Sequence, residues 1–448
     1  MKFFLLLLLF VVSCVRSRRI DFKSIGGISG DSSLSICRHN TNLLNETINS
    51  LINEDILVIP SNETFWLLGG IYARHLINVT IQIDGILKFS DNYFEWPRDA
   101  QTHLVLDCFY FEQLTNVTFT SSNPNNEKGI IDGSGAIWWG LVQYLVIRGD
   151  RPRLFVIYNS TNILIENILL KNSPKWTFYG KDIANLEIRY TDVDARRHAN
   201  VQWHDLNELT AFNTDGFDIS GTNVWIHDCN IWNDDDCIAV KQQDSHSFHS
   251  TCSQHMLFER INASGVGLTI GSIGASNEHS CIRNITFRNS TMFNTFKGIY
   301  LKSRPENDLN ATGEITDILY ENILISNASQ WAIWIGPQQA AFPGACSLLW
   351  PFLPETSCPI PSNIQWNNII LRNITINHPQ LSPGVIIGNL SNPMLNIVFD
   401  NVIVNQPGVR PWGTKYYACQ GVQGFTQGNT QPSPPCFHQK NKERNRTL

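Results

Sequence analysis

The sequence predicts an all-β protein, a right-handed parallel β-helix built as one solenoid with a short N-terminal capping helix. Three observations predict it. Short alternating apolar runs recur along the chain, each opened by Asn or Asp. They return at intervals of roughly 20 to 40 residues, the period of a solenoid with one coil per repeat. Between them no helical pattern is long enough for βαβ units. A β-sandwich is the main competitor, but it predicts Asn-Gly hairpin turns, which are nearly absent. The 448 residues exceed a typical domain, yet all-β architectures often run long as one domain.

Taken in order, the chain opens with Met1-Lys2, an apolar run from Phe3 to Val12, and small residues around Ser13 and Ser17. This is the pattern of a secretory signal peptide, assigned to residues 1–17. The run is too short to span a bilayer, and no other stretch is long and apolar enough to do so. A secreted, extracellular protein is expected. Sequons at Asn45, Asn62, Asn78, Asn116, Asn159, Asn262, Asn284, Asn289, Asn310, Asn327, Asn373 and Asn389 fit a glycoprotein. Many of these open a strand, where Asn also serves a turn.

Next, Leu43, Leu44, Thr47, Ile48, Leu51 and Ile52 recur at helical spacing, predicting one amphipathic helix over Asn42–Asn53 that covers the open end of the stack. The strand pattern then sets in. It reads Asn78-Val79-Thr80-Ile81, Asn116-Val117-Thr118-Phe119, Asn162-Ile163-Leu164-Ile165 and Asn185-Leu186-Glu187-Ile188. It continues through Asn223, Asn284, Asp317, Asn373 and Asn396. Residues 20–436 therefore read as a single parallel β-helix domain. Residues 437–448, with Lys440, Lys442, Arg444 and Arg446, read as a basic disordered tail.

The chain has 11 cysteines, and Cys14 leaves with the signal. The remaining even set suggests disulfides in an oxidising compartment. Neighbour spacing suggests Cys237–Cys252, Cys346–Cys358 and Cys419–Cys436. No pair has zinc-ligand spacing. The formal net charge of −6 argues against nucleic acid as a partner. It also means that an acidic substrate would need local Lys and Arg for recognition. A monomer is expected.

The chemistry gathers at Asn213-Thr214-Asp215-Gly216-Phe217-Asp218 and Asp234-Asp235-Asp236-Cys237. Strand-like spacing between these blocks lets their carboxylates lie side by side on successive coils. Two carboxyls held in opposed environments are what glycoside hydrolysis needs: one keeps a proton for the leaving oxygen, the other activates water. A lone Asp here would more often make a turn; the argument rests on the whole constellation.

Ile131-Asp132-Gly133-Ser134-Gly135, the two Asp blocks, Gly265-Val266-Gly267 and Gly298-Ile299-Tyr300-Leu301-Lys302 follow in one order. This series resembles glycoside hydrolase family 28, the polygalacturonases and their pectin-degrading relatives. The resemblance covers nearly the whole chain after the leader. It implies a right-handed parallel β-helix and inverting hydrolysis of α-1,4-galacturonosyl linkages in pectic polysaccharide, without metal or cofactor. It implies Asp235 as general acid, Asp215 and Asp236 as the pair that activates water, Asn213 as their orienting residue and Lys302 as a substrate-carboxylate ligand. Inversion is expected to hold the acid and base carboxyls about 6.5–9.5 Å apart.

Two positions depart from the family pattern. Val266 stands where the family usually has His, and Tyr300 where it usually has Arg. Valine neither hydrogen-bonds nor titrates. Tyr300 is a candidate to stack on a sugar or donate a hydrogen bond. On an extended strand Tyr300, Lys302 and Arg304 share a face, which makes Arg304 a candidate for the lost charge. The same departures resemble rhamnogalacturonan hydrolases of the family, so a substituted galacturonan is the alternative substrate. A calcium-dependent lyase and a non-catalytic pectin-binding relative complete the alternatives. Exo and endo attack both remain open, since loops at the cleft ends decide them.

Other residues carry blander expectations. His198, His204, His227 and His255 read as turn or surface residues, with His255 the one candidate to replace the missing histidine. Asp218 and Asp234 read as turn or supporting residues, and Lys241 and Arg283 as solvated residues, with a minor subsite cation as the alternative. Alternation puts Trp331 and Ile333 on one face and Trp334 on the other; these and the Trp350 segment suit either a sugar subsite or the core.

Overall fold

A computed structural model describes residues 17–123, 127–140, 150–196, 211–243, 246–274, 279–305, 312–338, 346 and 358–439. Within them the solenoid is plain. Ile56–Ile59, Thr64–Leu67 and Ile71–Arg74 make the first coil. Thr80–Ile83, Ile86–Phe89 and Phe109–Glu112 lie on them, strand for strand and parallel. Later coils fuse these short pieces into long bent strands, such as Phe217–Asn233 and His279–Phe293. All pairing between these strands is parallel, in one continuous 27-stranded right-handed array among the described residues. A sandwich built from hairpins is thereby excluded.

Parallel, in-register pairing stacks like on like, because the same position of each coil faces the interior. Phe109, Phe155, Phe178 and Phe217 fall on one line of partners, with successive ring centroids 5.8, 5.9 and 6.1 Å apart. Phe258, Phe287 and Tyr320 repeat the device further along, 4.6 and 4.8 Å apart and nearly coplanar. These fully buried rings make one core running the length of the stack.

The Asn residues that open strands turn out to be a structural ladder. Asn78, Asn116, Asn162, Asn185 and Asn223 all sit at positive φ, which Asn tolerates better than most residues. Each side-chain amide donates to the carbonyl oxygen of the Asn one coil earlier, at 2.7–3.1 Å from Asn116 onward. Asn78 and Asn116 are thus turn residues as well as sequons.

The capping helix spans Leu34–Asn49, starting and ending earlier than the predicted 42–53. Apolar spacing missed its first half because that half is anchored by polar residues. Asn40 and Thr41 are buried and bond the backbone of Ile28, Trp66 and Leu68. Asn45 does the same for Gly70 and Tyr72. The helix therefore satisfies the first coil's exposed edge by hydrogen bonds as well as by packing Leu44 and Ile48 onto the core. Ile52, read as part of its apolar face, lies exposed beyond its end.

Three disulfides form: Cys252–Cys281, Cys346–Cys358 and Cys419–Cys436. The expected Cys237–Cys252 bridge does not. Cys237 points into the core, as do Cys37, Cys108 and Cys229, all buried and unbridged. The last coil also runs further than expected: Phe437–Gln439 pairs with Val422–Gln427, so the chain is ordered three residues into the predicted tail. Residues 1–16, all but the last of the expected signal peptide 1–17, and residues 440–448 lie outside the described residues. No helix among the described residues is long and apolar enough to cross a membrane.

Candidate active site

One sheet of the solenoid carries a line of outward side chains that ends in the acidic cluster. Parallel backbone bonds run from Leu154 to Trp176, Thr177 to Asp215 and Gly216 to Asp236. They place Arg153, Trp176, Asp215 and Asp236 at one position of four successive coils. The two Asp blocks, about twenty residues apart in sequence, are therefore neighbours one coil spacing apart, about 4.8 Å. Gly216 makes this approach possible: a Cβ there would stand 2.3 Å from the Cys237 carbonyl oxygen.

One oxygen from each of Asp215, Asp235 and Asp236 lies within 4.8 Å of the others. This is tighter than the 6.5–9.5 Å expected between inverting carboxyls, although it is measured between nearest oxygens. Asp215 and Asp236 are buried, and Asp235 is partly exposed toward solvent. Asp235 accepts hydrogen bonds from the backbone N–H of Asp236 at 2.8 Å and of Asn213 at 3.1 Å. Asn213 thus meets the cluster through its main chain. Its own side-chain oxygen accepts from Arg151 at 3.2 Å. Asn233, buried between the blocks, donates to the carbonyls of both Thr214 and Asp236 at 2.9 Å.

The carboxyls sit in different fields. Burial raises the pKa of Asp215 well above the carboxylate range, and the charges of Asp218 and Asp235 add to it. Burial and the charge of Asp236 raise Asp235. Burial also pushes on Asp236, but Lys302 and Lys241 overcome it and hold Asp236 below its usual value. The Lys302 ammonium donates to Asp236 at 2.7 Å, and the Thr269 hydroxyl to its other oxygen at 2.9 Å. At neutral pH this arrangement keeps one ionised carboxylate, Asp236, beside two that hold protons more tightly than usual.

Sequence reasoning gave two members only a minor part. Asp218, read as a turn or supporting residue, is fully buried and raised to about 6 by burial, against the pull of Lys241. Lys241, read as a solvated residue rather than a minor subsite cation, stands 3.3 Å from Asp218, 3.7 Å from Asp215 and 3.9 Å from Asp236. Strand alternation from Ala239, which pairs with Asp218, was the signal that would have put Lys241 on this face.

The residues at the two departures form an apolar block beside the cluster. Val266 packs with Phe296, Tyr300, Trp331, Trp334, Leu381 and Val385. Tyr300 has no exposed surface, so its ring offers no face to a sugar; it lies 4.5 Å beneath the Lys302 ammonium. Trp331 precedes the strand Ile333–Pro337, so alternation does not apply to it. Its ring packs 5.3 Å from Trp334 in the same block, and both are closed off from solvent. Arg304 lies past the end of the strand Ile299–Ser303, exposed, with its backbone N–H bonded to Ile273.

Among the described residues, His255 and His227 make their contacts away from the cluster. His255 is an exposed ladder residue that contacts Asn284 at 2.7 Å. His227 is buried further along the strand Phe217–Asn233, against Asp228 and Glu187. Arg283 is bonded to Gln254, and Asp234 accepts from the Ala211 N–H. His198, His204 and Trp350 lie outside the described residues.

Three acidic oxygens this close also form a donor set suited to a hard cation. Two ammonium groups already lie within 4 Å of its members, supplying the positive charge such an ion would bring.

Known proteins resemble this chain in sequence and in fold. The model for glycosyl hydrolases family 28 matches residues 52–430. A probable endo-xylogalacturonan hydrolase A of Aspergillus niger is 25% identical over 64% of this chain and 64% of its own length. A probable polygalacturonase of Vitis vinifera is 22% identical over 94% of this chain and 81% of its own. Among solved structures, endo-xylogalacturonan hydrolase from Aspergillus tubingensis superposes with a TM-score of 0.59 at 20% identity, over 93% of this chain and 97% of that one. The endopolygalacturonase I of Stereum purpureum, solved with two galacturonates, gives 0.57 at 18% identity, over 83% and 94%.

Proposed function

The chain belongs to glycosyl hydrolase family 28, and we propose that it is a secreted hydrolase of α-1,4-galacturonosyl linkages in pectic polysaccharide. The observation that carries this is the split among three adjoining carboxyls: Asp236 is held ionised while Asp235 and Asp215 are held toward the protonated form.

Asp235 acts as general acid. It alone of the three reaches solvent, and its raised pKa keeps a proton for the leaving glycosidic oxygen. Asp236, ionised by Lys302 and Lys241, takes a proton from the attacking water, which Asp215 helps to hold. As the water oxygen bonds the anomeric carbon, the bond to the leaving oxygen breaks, and the configuration inverts. Lys302 binds a substrate carboxylate while holding Asp236. Arg304 is exposed and is proposed only as an outer contact.

A second reading, a substituted galacturonan such as rhamnogalacturonan, is favoured by the apolar block that Val266 enters where the family usually has histidine. The test is a product assay on homogalacturonan and rhamnogalacturonan, with and without chelator. Asp235→Asn is expected to lower kcat roughly 10²–10⁴-fold, and the first-formed anomer to be inverted. Chelator is expected to change nothing. Retained configuration would assign the close carboxyls to a covalent mechanism, and no hydrolysis of either polymer would sink the hydrolase reading.

A further inference from the structure

Polyanion recognition needs cations, and on the side of the cluster toward the C-terminus Lys302 already holds Asp236 while an apolar block fills the space beside it. The opposite side is built differently. One and two coils before Asp215, Trp176 and Arg153 occupy the same outward position. Trp176 and Tyr179 stack with centroids 5.1 Å apart. The Arg153 guanidinium lies 4.9 Å over Tyr179, and the Lys175 ammonium lies 4.8 Å over Trp176. All four side chains are partly exposed.

Positive charge is concentrated here. Arg153 is paired with Asp107 at 2.6 Å. Arg151, behind them, donates to the carbonyls of Pro174 and Phe212 and to Asn213, so its charge meets dipoles in these contacts. Lys175 is half-buried among these groups. Burial, then repulsion from Arg151 and Arg153, lowers its pKa. An added anion would relieve that repulsion, and flat aromatic faces beside it suit a sugar ring.

We propose that Arg153, Lys175, Trp176 and Tyr179 form a subsite for a carboxylated sugar on the N-terminal side of the cleaved bond's carboxyl cluster. The proposal rests on the hydrolase reading for its substrate class. It adds charge recognition, beyond that of Lys302, on the side opposite the positions where the family's His and Arg would stand. A sugar bound there lies one to two coils from Asp215, about 5–10 Å at the sheet spacing, within reach of a neighbouring unit of the same chain.

The experiment measures binding apart from turnover. A short galacturonate oligomer is titrated calorimetrically into full-length Asp235→Asn protein, alone and combined with Lys175→Gln, Lys175→Arg or Trp176→Ala. Lys175→Gln and Trp176→Ala are expected to weaken binding about tenfold each, the scale of a charge-assisted or stacking contact. Lys175→Gln is also expected to flatten the salt dependence, and Lys175→Arg to restore binding. In the parent, Lys175→Gln is expected to raise KM with kcat within about threefold. Unchanged affinity in both truncations, or no binding of the oligomer, overturns the subsite. Binding that depends on Lys175 without turnover by the parent would uphold the subsite and remove the hydrolase reading.

Discussion

At the scale of single residues, Asp236 is the pivot, since its ionisation depends on a neighbour from another coil. Lys302 lies 66 positions away in sequence yet donates to it at 2.7 Å. A charge-assisted contact of this kind in a buried setting is strong. Replacing it by Lys302→Met leaves a buried carboxylate with only Lys241 and Thr269 for support. Burial then dominates, and the pKa of Asp236 rises. The proposed base works only when ionised, so the acid limb of kcat/KM is expected to move to higher pH, with kcat lower by about 100-fold or more. A pH–rate profile of the variant checks this; an unmoved acid limb would mean that another group takes the proton.

Among elements, the Asn ladder shows how a turn becomes a stabilising unit. Asn185 donates to Asn162 and accepts from Asn223, and holds φ at 57°. Asn185→Ala removes both bonds and leaves Ala in a left-handed conformation. Two lost hydrogen bonds at about 1 kcal/mol each, with about 1 kcal/mol of backbone strain, predict a loss of about 3 kcal/mol. Denaturant unfolding would read this as a lower midpoint at constant slope. Asn185→Gly, which keeps the φ without strain, is expected to recover the strain part only. The ladder was half legible: Asn at strand starts was visible, but a sequon and a turn look alike until the amides are seen to bond across coils.

For the whole molecule, a solenoid of parallel strands has two open ends, and each is a template for further pairing. The helix Leu34–Asn49 covers the first, with Leu44 and Ile48 entering the core. Leu44→Glu is expected to undock it and expose the edge of Ile71–Arg74, giving aggregation on mild heating that light scattering detects. A variant that stays monodisperse up to its melting temperature would show that the edge needs no cover. Periodicity alone told of this helix, but it placed the start eight residues late. Its buried face is partly polar, and hydrogen bonds to strand edges leave no apolar trace.

The repeat of Asn-opened apolar runs determined the solenoid, because in-register parallel stacking demands the same residue type at the same position of every coil. The two Asp blocks, Lys302 and the broken pattern at Val266 and Tyr300 were equally plain, since each lies inside a short local motif. Tertiary structure alone decided the rest. Asp218 and Lys241 join the cluster, and Tyr300 withdraws beneath Lys302, because coil-to-coil register fixes which outward positions crowd together. Cys237 stays unbridged because its strand turns it inward. The cationic, aromatic side of the cluster emerged the same way: Arg153 and Trp176 are distant in sequence and become neighbours only when successive coils are laid one on another.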